Sequence, residues 1–371
     1  MDAPQAGAGA AADPAPVNRV RRPGRGAGSN AAGRFERYDT VAEHDGWDLE
    51  EDLAVLRTEV RQERARKIIT YNKSPDLPFD RSVNVYRGCE HGCVYCFARP
   101  THAWFGLSPG LDFETRLVAR PNAPDALARE LAAKSYSVAP IAMGTNTDPY
   151  QPIEKAHGLT RAVLEVLQAS HHPVAIVTKG KLILRDIDIL SDMAAKGLVR
   201  VGISLTTLDA DLSRRMEPRV PAPAKRLQVI RNLSAAGIPV RVMTSPVVPG
   251  LSDHEVEALL EAAADAGAVA ASWIMLRLPR EVAPLFRAWL EEHYPDRAAR
   301  VMARVREMHG GKEYDARFGH RMRGDGVYAQ MIGQRFAKAA RRLGLDGEQP
   351  QLRCDLFCPP RGDGRQGDLF G

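Results

Sequence analysis

The sequence predicts an α/β protein in which short buried strands alternate with helices. Two observations lead to this class. Between residues 81 and 293, six apolar, β-branched runs are each followed by a segment of helical periodicity. Three of the helical segments stop at a glycine, namely Gly197, Gly237 or Gly267. Such alternation predicts a parallel sheet covered by helices, curled into an open barrel or laid out as a doubly wound layer.

The predicted elements follow in chain order. An amphipathic helix over 48–67 and an extended segment at 68–72 come first. The predicted strands are 82–86, 140–144, 174–178, 199–205, 240–244 and 269–278. The predicted helices are 123–134, 159–169, 186–195, 224–236, 253–266 and 282–293. In either architecture, function is expected at the carboxyl ends of the strands.

Composition limits the remaining choices. The chain has 371 residues, is 44% hydrophobic and carries a net charge of +5, which permits an anionic partner without demanding one. It has no signal-peptide pattern and no apolar run of membrane-spanning length, so we expect a cytoplasmic protein with no membrane contact. Four regions are predicted: a disordered Ala- and Gly-rich tail at 1–45, an N-terminal helix with its extended segment at 46–80, the α/β core at 81–293, and a mostly helical, basic extension with a flexible end at 294–371.

A ten-residue stretch, 88–97, holds three of the five cysteines, Cys89, Cys93 and Cys96, spaced C-x3-C-x2-C. Iron–sulfur clusters are held by cysteine thiolates, and four irons normally take four of them. Three thiolates leave one iron open to a small molecule. S-adenosylmethionine (SAM) can bind there through its amino and carboxylate groups, and an electron from the cluster can then break an S–C bond to release a carbon radical.

A zinc site and a disulfide framework are two other uses for these cysteines, and both fit the sequence less well. A structural zinc site is closed by four ligands, and His91, between Cys89 and Cys93, is badly spaced to be the fourth; it is expected to be a solvated loop residue. A disulfide framework does not suit five cysteines in so long a chain. A non-catalytic protein with zinc in this loop and basic segments for nucleic acid stays open as the alternative.

With Tyr95 before its third cysteine, the motif resembles the radical SAM superfamily, whose pattern is C-x3-C-x-aromatic-C. The resemblance implies a partial (β/α)6 TIM-type barrel with the cysteine loop after its first strand. It also implies a 4Fe-4S cluster on Cys89, Cys93 and Cys96, SAM on the fourth iron, and an electron donor such as flavodoxin or ferredoxin. A radical SAM enzyme that modifies a peptide is a further alternative.

The strand ends supply the candidate SAM-binding residues, each of which can also be an ordinary loop residue. The run Gly144-Thr145-Asn146-Thr147 resembles the superfamily segment that holds the methionine amino group. Lys179, which follows a buried strand, can pair with the SAM carboxylate. Ser204 ends the next strand and can hold the ribose.

Further segments resemble the spore photoproduct lyase branch, which repairs a thymine dimer in DNA; they are 178–179, 203–205, 216–218, 225–227, 236–240 and 246–250. In that branch the residues matching Lys179 and Ser204 contact SAM. The lyase also has a hydrogen-donating cysteine after its second strand, where this chain has Thr145-Asn146-Thr147-Asp148. An O–H bond is much stronger than S–H, so repair by the same route is not expected. A DNA or RNA base is the first-choice substrate.

Two features of the C-terminal segment each have more than one interpretation. The loop with Arg317, His320, Arg321 and Arg323 can hold phosphates or form a solvated surface. Cys354 and Cys358 can be inert thiols, a redox or metal-binding pair, or a hydrogen donor folded over the barrel mouth. We favour a radical reaction that consumes SAM over one that uses this pair.

Overall fold

The computed structural model describes residues 24–35, 56–347 and 351–360, and its centre is a seven-stranded sheet. In chain order the strands are β1 Glu59–Gln62, β2 Ile69–Tyr71, β3 Arg81–Val83, β4 Tyr86–Arg87, β5 Arg116–Ala119, β6 Ile141–Met143, β7 Val174–Thr178, β8 Val199–Ser204, β9 Val240–Val247 and β10 Ala270–Met275. The sheet order is β10-β9-β8-β7-β6-β3-β2. The strands from β3 to β10 pair in parallel, whereas β2 runs antiparallel to β3.

This strand order decides between the two predicted architectures. Neighbours in the parallel part of the sheet succeed one another along the chain, without the reversal that a doubly wound layer has. The edge strands β2 and β10 do not pair with each other within the described residues, so the barrel is incomplete. The predicted partial barrel is confirmed.

Helices cover the outside of the sheet. They are α1 Asp112–Thr115, α2 Ala123–Leu131, α3 Glu154–His157, α4 Leu159–Ala169, α5 Ile187–Ala195, α6 Ala210–Met216, α7 Pro223–Ala235, α8 Val256–Asp265, α9 Val282–His293, α10 Pro295–Met308 and α11 Gly326–Arg342. All six predicted helices of the alternation are present. In α4, Val163, Leu164 and Leu167 are completely buried, as its apolar stripe requires. The extension contributes α10 and α11, which pack on α9 and α8. No helix among the described residues is both long and apolar enough to cross a lipid bilayer.

The predicted helix over 48–67 is wrong where the structure describes it, from residue 56 onward. Glu59–Gln62 is strand β1, and it pairs in parallel with β5. The chain also turns after β3, so Tyr86 leaves the large sheet and β4 pairs with β5. Pairing with a partner more than 50 residues away overrides the local helical pattern. The three strands form a small sheet beside the cysteine loop.

The tail prediction also needs correction over 24–35; residues 1–23 and 36–45 lie outside the described residues. The Gly26 and Ala27 N–H groups each donate to the buried carboxylate of Glu114 at 2.9 Å. The Arg25 guanidinium donates to the Leu56 carbonyl at 2.6 Å. A side chain at Gly26 would collide with the Gly92 carbonyl oxygen. The small residues of this segment were predicted to indicate disorder. In the structure they allow the backbone to pack closely on the cysteine loop.

Residues 351–360 lie at the amino ends of the strands. The Arg353 N–H donates to the carbonyl of Gly197, just before β8, and the Cys358 N–H donates to that of Ser170, shortly before β7. Both distances are about 3 Å (3.0 and 2.9 Å). Cys354 and Cys358 therefore lie at the opposite end of the barrel from Cys89, Cys93 and Cys96. A hydrogen donor folded over the barrel mouth does not fit this arrangement.

Candidate radical and cofactor site

A cavity of about 630 Å³ opens at the carboxyl ends of the strands. Cys93, Tyr95 and Cys96 line it on one side, and Lys179 and Ser204 line it from the ends of β7 and β8. These five residues, all predicted from the sequence, come together around one space. Cys89, the remaining cysteine of the motif, is buried directly beside them.

The cysteine loop is held by its own backbone. Gly88 and Gly92 have φ values of +74° and +66°, which glycine adopts without strain. The Cys89 N–H donates to the Phe113 carbonyl at 2.9 Å. Burial raises the pKa of the Cys89 and Cys93 thiols, and neighbouring negative charge adds to the rise at Cys89. Thiols in such surroundings become thiolates when a metal binds them, so the site suits a metal cluster.

The three cysteines of the motif are placed differently from the ligands of a single bound ion. Among the described residues, no group of three or more His, Cys, Asp or Glu side chains is arranged around a single ion. A four-iron cluster takes one thiolate per iron, so its ligands need not surround a single point. His91 is buried, not solvated as predicted, and its Nδ1 lies 3.3 Å from an oxygen of Asp148.

Asp148 connects the cysteine loop to β7. Its carboxylate accepts hydrogen bonds from the Thr178 hydroxyl at 2.6 Å and the Lys179 N–H at 2.8 Å. Burial acts to raise its pKa, but His91 and these donors outweigh burial and lower the pKa of Asp148 to about 2. The carboxylate therefore stays ionised and fixes the start of the loop that carries Lys179.

The four predicted residues after β6 divide into two pairs. Gly144 and Thr145 line the cavity, and a side chain at Gly144 would overlap the Val177 carbonyl oxygen. Asn146 and Thr147 are not among the lining residues. The Asn146 N–H donates to Asn84 Oδ1 at 3.1 Å, and the Thr147 hydroxyl donates to the Gly88 carbonyl at 2.6 Å.

Two amide side chains that the sequence analysis did not single out hold the loop after β6 and the cysteine loop in place. Asn84 contacts both Thr145 and Asn146. Gln151 donates to the Gly88 carbonyl and to the Thr147 hydroxyl, and accepts from the Glu90 N–H at 2.9 Å. Single amides in loops give no pattern that a sequence could reveal. Their positions show that Thr147 supports the cysteine loop.

Tyr95 belongs to a buried ionic group. Its hydroxyl donates to Glu217, which forms an ion pair with Arg226 at 2.8 Å. Although burial acts to raise it, the charges of Arg226 and Lys179 hold the pKa of Glu217 below its usual value. Arg226 also donates to the Ser204 carbonyl at 3.0 Å. This group joins the aromatic residue of the motif to the end of β8.

Lys179 presents a positive charge to the cavity. Its Nζ lies 5.8 Å from the centre of the Tyr95 ring, and no carboxylate in the described part of the chain forms an ion pair with it. Burial acts to lower its pKa, but Cys93, Glu217 and Asp148 together raise it. An ammonium without a carboxylate partner in a lined cavity fits the carboxylate of SAM.

Hydroxyl groups stand beside this ammonium. Ser204 donates to the Ser245 carbonyl at 3.2 Å, leaving its oxygen free to accept. The Ser245 hydroxyl is buried without a hydrogen-bond partner among the described residues, and both serines line the cavity. A buried hydroxyl without a hydrogen-bond partner is unfavourable, so a ligand atom that hydrogen-bonds to it would stabilise the site. The residues present thus fit both a cluster and SAM.

The C-terminal loop closes the open side of the barrel. The Met275 N–H of β10 donates to the Met322 carbonyl at 2.9 Å, and Arg321 pairs with Asp76, beyond β2, at 2.6 Å. The other basic residues of this loop have local partners as well. Arg317 pairs with Asp315 and His320 with Asp325, while Arg323 stacks on Trp273. Among the predicted basic residues, Arg321 is the one that lines the cavity.

Residues 83–263 match the model of the radical SAM superfamily. An uncharacterized protein of Mycobacterium tuberculosis is 39% identical over 243 residues, which span 64% of this chain and 70% of that protein. Another, from Methanocaldococcus jannaschii, is 28% identical over 240 residues, 65% of this chain and 85% of that protein. The chain belongs to the radical SAM superfamily.

Solved structures show the same fold. Spore photoproduct lyase complexed with dinucleoside spore photoproduct aligns with a TM-score of 0.53 at 15% identity, covering 76% of this chain and 79% of that one. A lyase mutant with bound AdoMet and dinucleoside spore photoproduct gives 0.53 at 16% identity, over 76% and 78% of the two chains. Membership of the superfamily makes the protein an enzyme that uses a 4Fe-4S cluster and SAM.

Proposed function

We propose that this enzyme acts on a base of a nucleic acid, with Cys89, Cys93 and Cys96 as the cluster ligands. When bound, the reduced cluster supplies the electron that cleaves SAM and generates a 5′-deoxyadenosyl radical. Flavodoxin or ferredoxin is the proposed source of that electron. The labile cluster and the free cysteines suit a reducing cytoplasm.

The chain's own residues have separate roles in this proposal. Lys179 binds the SAM carboxylate, and the hydroxyls of Ser204 and Ser245 bind its polar groups. Gly144 and Thr145 form the wall against which the methionine end lies. Tyr95, held by Glu217, excludes water from beneath the Lys179 ammonium. Asn146 and Thr147 are proposed to act indirectly, by positioning their neighbours.

The observation that favours a nucleic acid is a pair of exposed aromatic rings stacked with arginine. Phe35 and Trp104 are 54% and 66% exposed, with ring centres 4.8 Å apart, and Arg34 stacks on both. Arg34 also pairs with Glu281 at 3.1 Å and donates to the carbonyl of Pro100, three residues after the cavity-lining Phe97. Exposed aromatic rings interleaved with arginine are typical of surfaces that stack the bases of single strands.

The fate of SAM follows from the placement of the thiols. The cysteines that line the cavity, Cys93 and Cys96, are assigned to the cluster, and Cys354 and Cys358 lie at the other end of the barrel. Within the described residues no further thiol is placed to return hydrogen to a substrate. We therefore propose that SAM is consumed, one molecule for each base modified.

The test is turnover by the anaerobically reconstituted, reduced enzyme with SAM and single-stranded DNA, RNA or thymine-dimer DNA. We expect one of these to raise 5′-deoxyadenosine formation and to yield one modified base per 5′-deoxyadenosine. Trp104→Ala should weaken binding of the single strand by about 5- to 150-fold, the loss of one stacking platform. Stimulation by peptides but by no nucleic acid would contradict the proposal.

A further inference from the structure

Arg277 is a cavity-lining cation that the sequence did not single out. It lies two residues after the end of β10, and its guanidinium lies 4.3 Å from the centre of the ring of Phe97, the residue after Cys96. In the part of the chain that the structure describes, it forms no ion pair and no hydrogen bond with a side chain or carbonyl. Burial lowers the pKa of Arg277, whereas nearby acidic groups, Asp76 among them, act to raise it. A partly buried guanidinium that forms no ion pair is unfavourable for the fold.

Other arginines around this end of the barrel have partners. Arg226 pairs with Glu217 at 2.8 Å, and Arg321 pairs with Asp76 at 2.6 Å. Arg99, behind the cysteine loop, pairs with Glu114 at 2.5 Å. Arg277 differs from these neighbours, because it lines the cavity and forms no ion pair with a carboxylate among the described residues. Its partner is therefore expected to be a ligand.

Lys179 and Arg277 lie at different parts of the cavity wall. Lys179 follows β7, whereas Arg277 lies beyond β10, and β8 and β9 come between these strands in the sheet. The Lys179 ammonium lies 5.8 Å from the centre of the Tyr95 ring, and the Arg277 guanidinium lies 4.3 Å from the centre of the Phe97 ring. If Lys179 binds the carboxylate of SAM, Arg277 is left to bind a different anion.

We propose that Arg277 binds the phosphodiester next to the target base, which rests on the nucleic-acid substrate proposed above. The planar fork of a guanidinium matches two phosphate oxygens. Tyr314, which also lines the cavity, offers a hydroxyl to the same group. Phe97 beside Arg277 is 47% exposed, so its ring is open to stacking by a base. A phosphate bound by Arg277 and a base stacked on Phe97 would therefore lie next to each other.

The test measures binding to the reconstituted, SAM-loaded enzyme by calorimetry. The probes are the dinucleotide of thymidine with its natural phosphodiester and the same dinucleotide with a neutral methylphosphonate linkage. We expect the wild type to prefer the phosphodiester by about 10- to 150-fold. Arg277→Gln should lose that preference while its affinity for SAM stays within about twofold. Arg341→Gln, on the outer helix α11, is the matched control and should behave as the wild type.

Three results would overturn the assignment. Arg277→Gln could retain the preference for the phosphodiester, or it could lose affinity for SAM, which would place Arg277 in the cofactor site. A glutamate-containing tripeptide could instead bind in an Arg277-dependent manner, which would make the substrate a peptide. Failure of the proposed function is separable, because the wild type would then form no 5′-deoxyadenosine or respond to no nucleic acid.

Discussion

The two ends of the barrel differ in how completely their charged and polar groups are paired within the chain. At the amino ends, Arg81 pairs with Asp80 at 2.7 Å, and Tyr136 hydrogen-bonds His172 at 2.7 Å. Burial lowers the pKa of His172 to about 4, so this imidazole is neutral at pH 7. At the carboxyl ends Glu217 and Arg226 also pair, but Lys179 and Arg277 line the cavity and form no ion pair with any carboxylate that the structure describes. Groups satisfied within the chain build the fold, whereas groups left for a ligand mark the site.

The largest expected effect separates the two sets of cysteines. Cys89→Ala, Cys93→Ala and Cys96→Ala should each abolish stable cluster assembly, because each removes a thiolate that no neighbour replaces. Cys354→Ala and Cys358→Ala should assemble a normal cluster. The measurement is the iron content, sulfide content and visible absorbance of all five variants. A normal cluster in Cys93→Ala would remove the motif from the site.

The buried ionic group beneath the cavity gives the next largest effect. Glu217→Gln leaves the Arg226 charge buried without its carboxylate, which should cost about 3–5 kcal/mol of unfolding free energy. The matched control is the exposed Arg353–Asp355 pair at the amino ends. Arg353→Gln should leave the urea midpoint of the apoprotein unchanged. Equal shifts in both variants would show that burial of the pair is unimportant.

The affinity for SAM tests the roles of Lys179 and Ser204 at the carboxyl ends of the strands. Lys179→Ala should weaken SAM affinity by about 10- to 150-fold, the loss of one charged hydrogen bond, without changing the iron content. Ser204→Ala should have a smaller effect, because Ser245 supplies a second hydroxyl nearby. Calorimetry on the reconstituted variants tests this. Unchanged affinity in both would take them out of the cofactor site.

Acid stability tests the Asp148 contacts. The folded pKa of Asp148, about 2, lies below its ordinary value of 3.8. Its contribution to stability is therefore complete above about pH 4 and is lost as the pH falls towards 2, a loss of about 2 kcal/mol. Urea unfolding of the apoprotein between pH 5 and pH 2 should show a flatter pH dependence in Asp148→Asn. Parallel curves for both proteins would contradict the assignment.

The sequence predicted what is local and repetitive. Strand and helix periods and the spacing of Cys89, Cys93 and Cys96 are read within short windows. The fold and the family that they predicted are confirmed, whereas the cysteines as cluster ligands stay a prediction. Strand β1 and the packing of Gly26 depend on partners far along the chain, which no local pattern reveals. Arg277 had a signal, since it lies two residues beyond a strand at the functional edge, but only the structure shows that no described carboxylate pairs with it.

The formation of 5′-deoxyadenosine tests the central claim most directly. The enzyme is reconstituted anaerobically with iron and sulfide, reduced, and supplied with SAM. The account predicts a brown protein that forms 5′-deoxyadenosine and methionine in equal amounts, and no such products from Cys93→Ala. A colourless, zinc-containing protein that leaves SAM intact would contradict it.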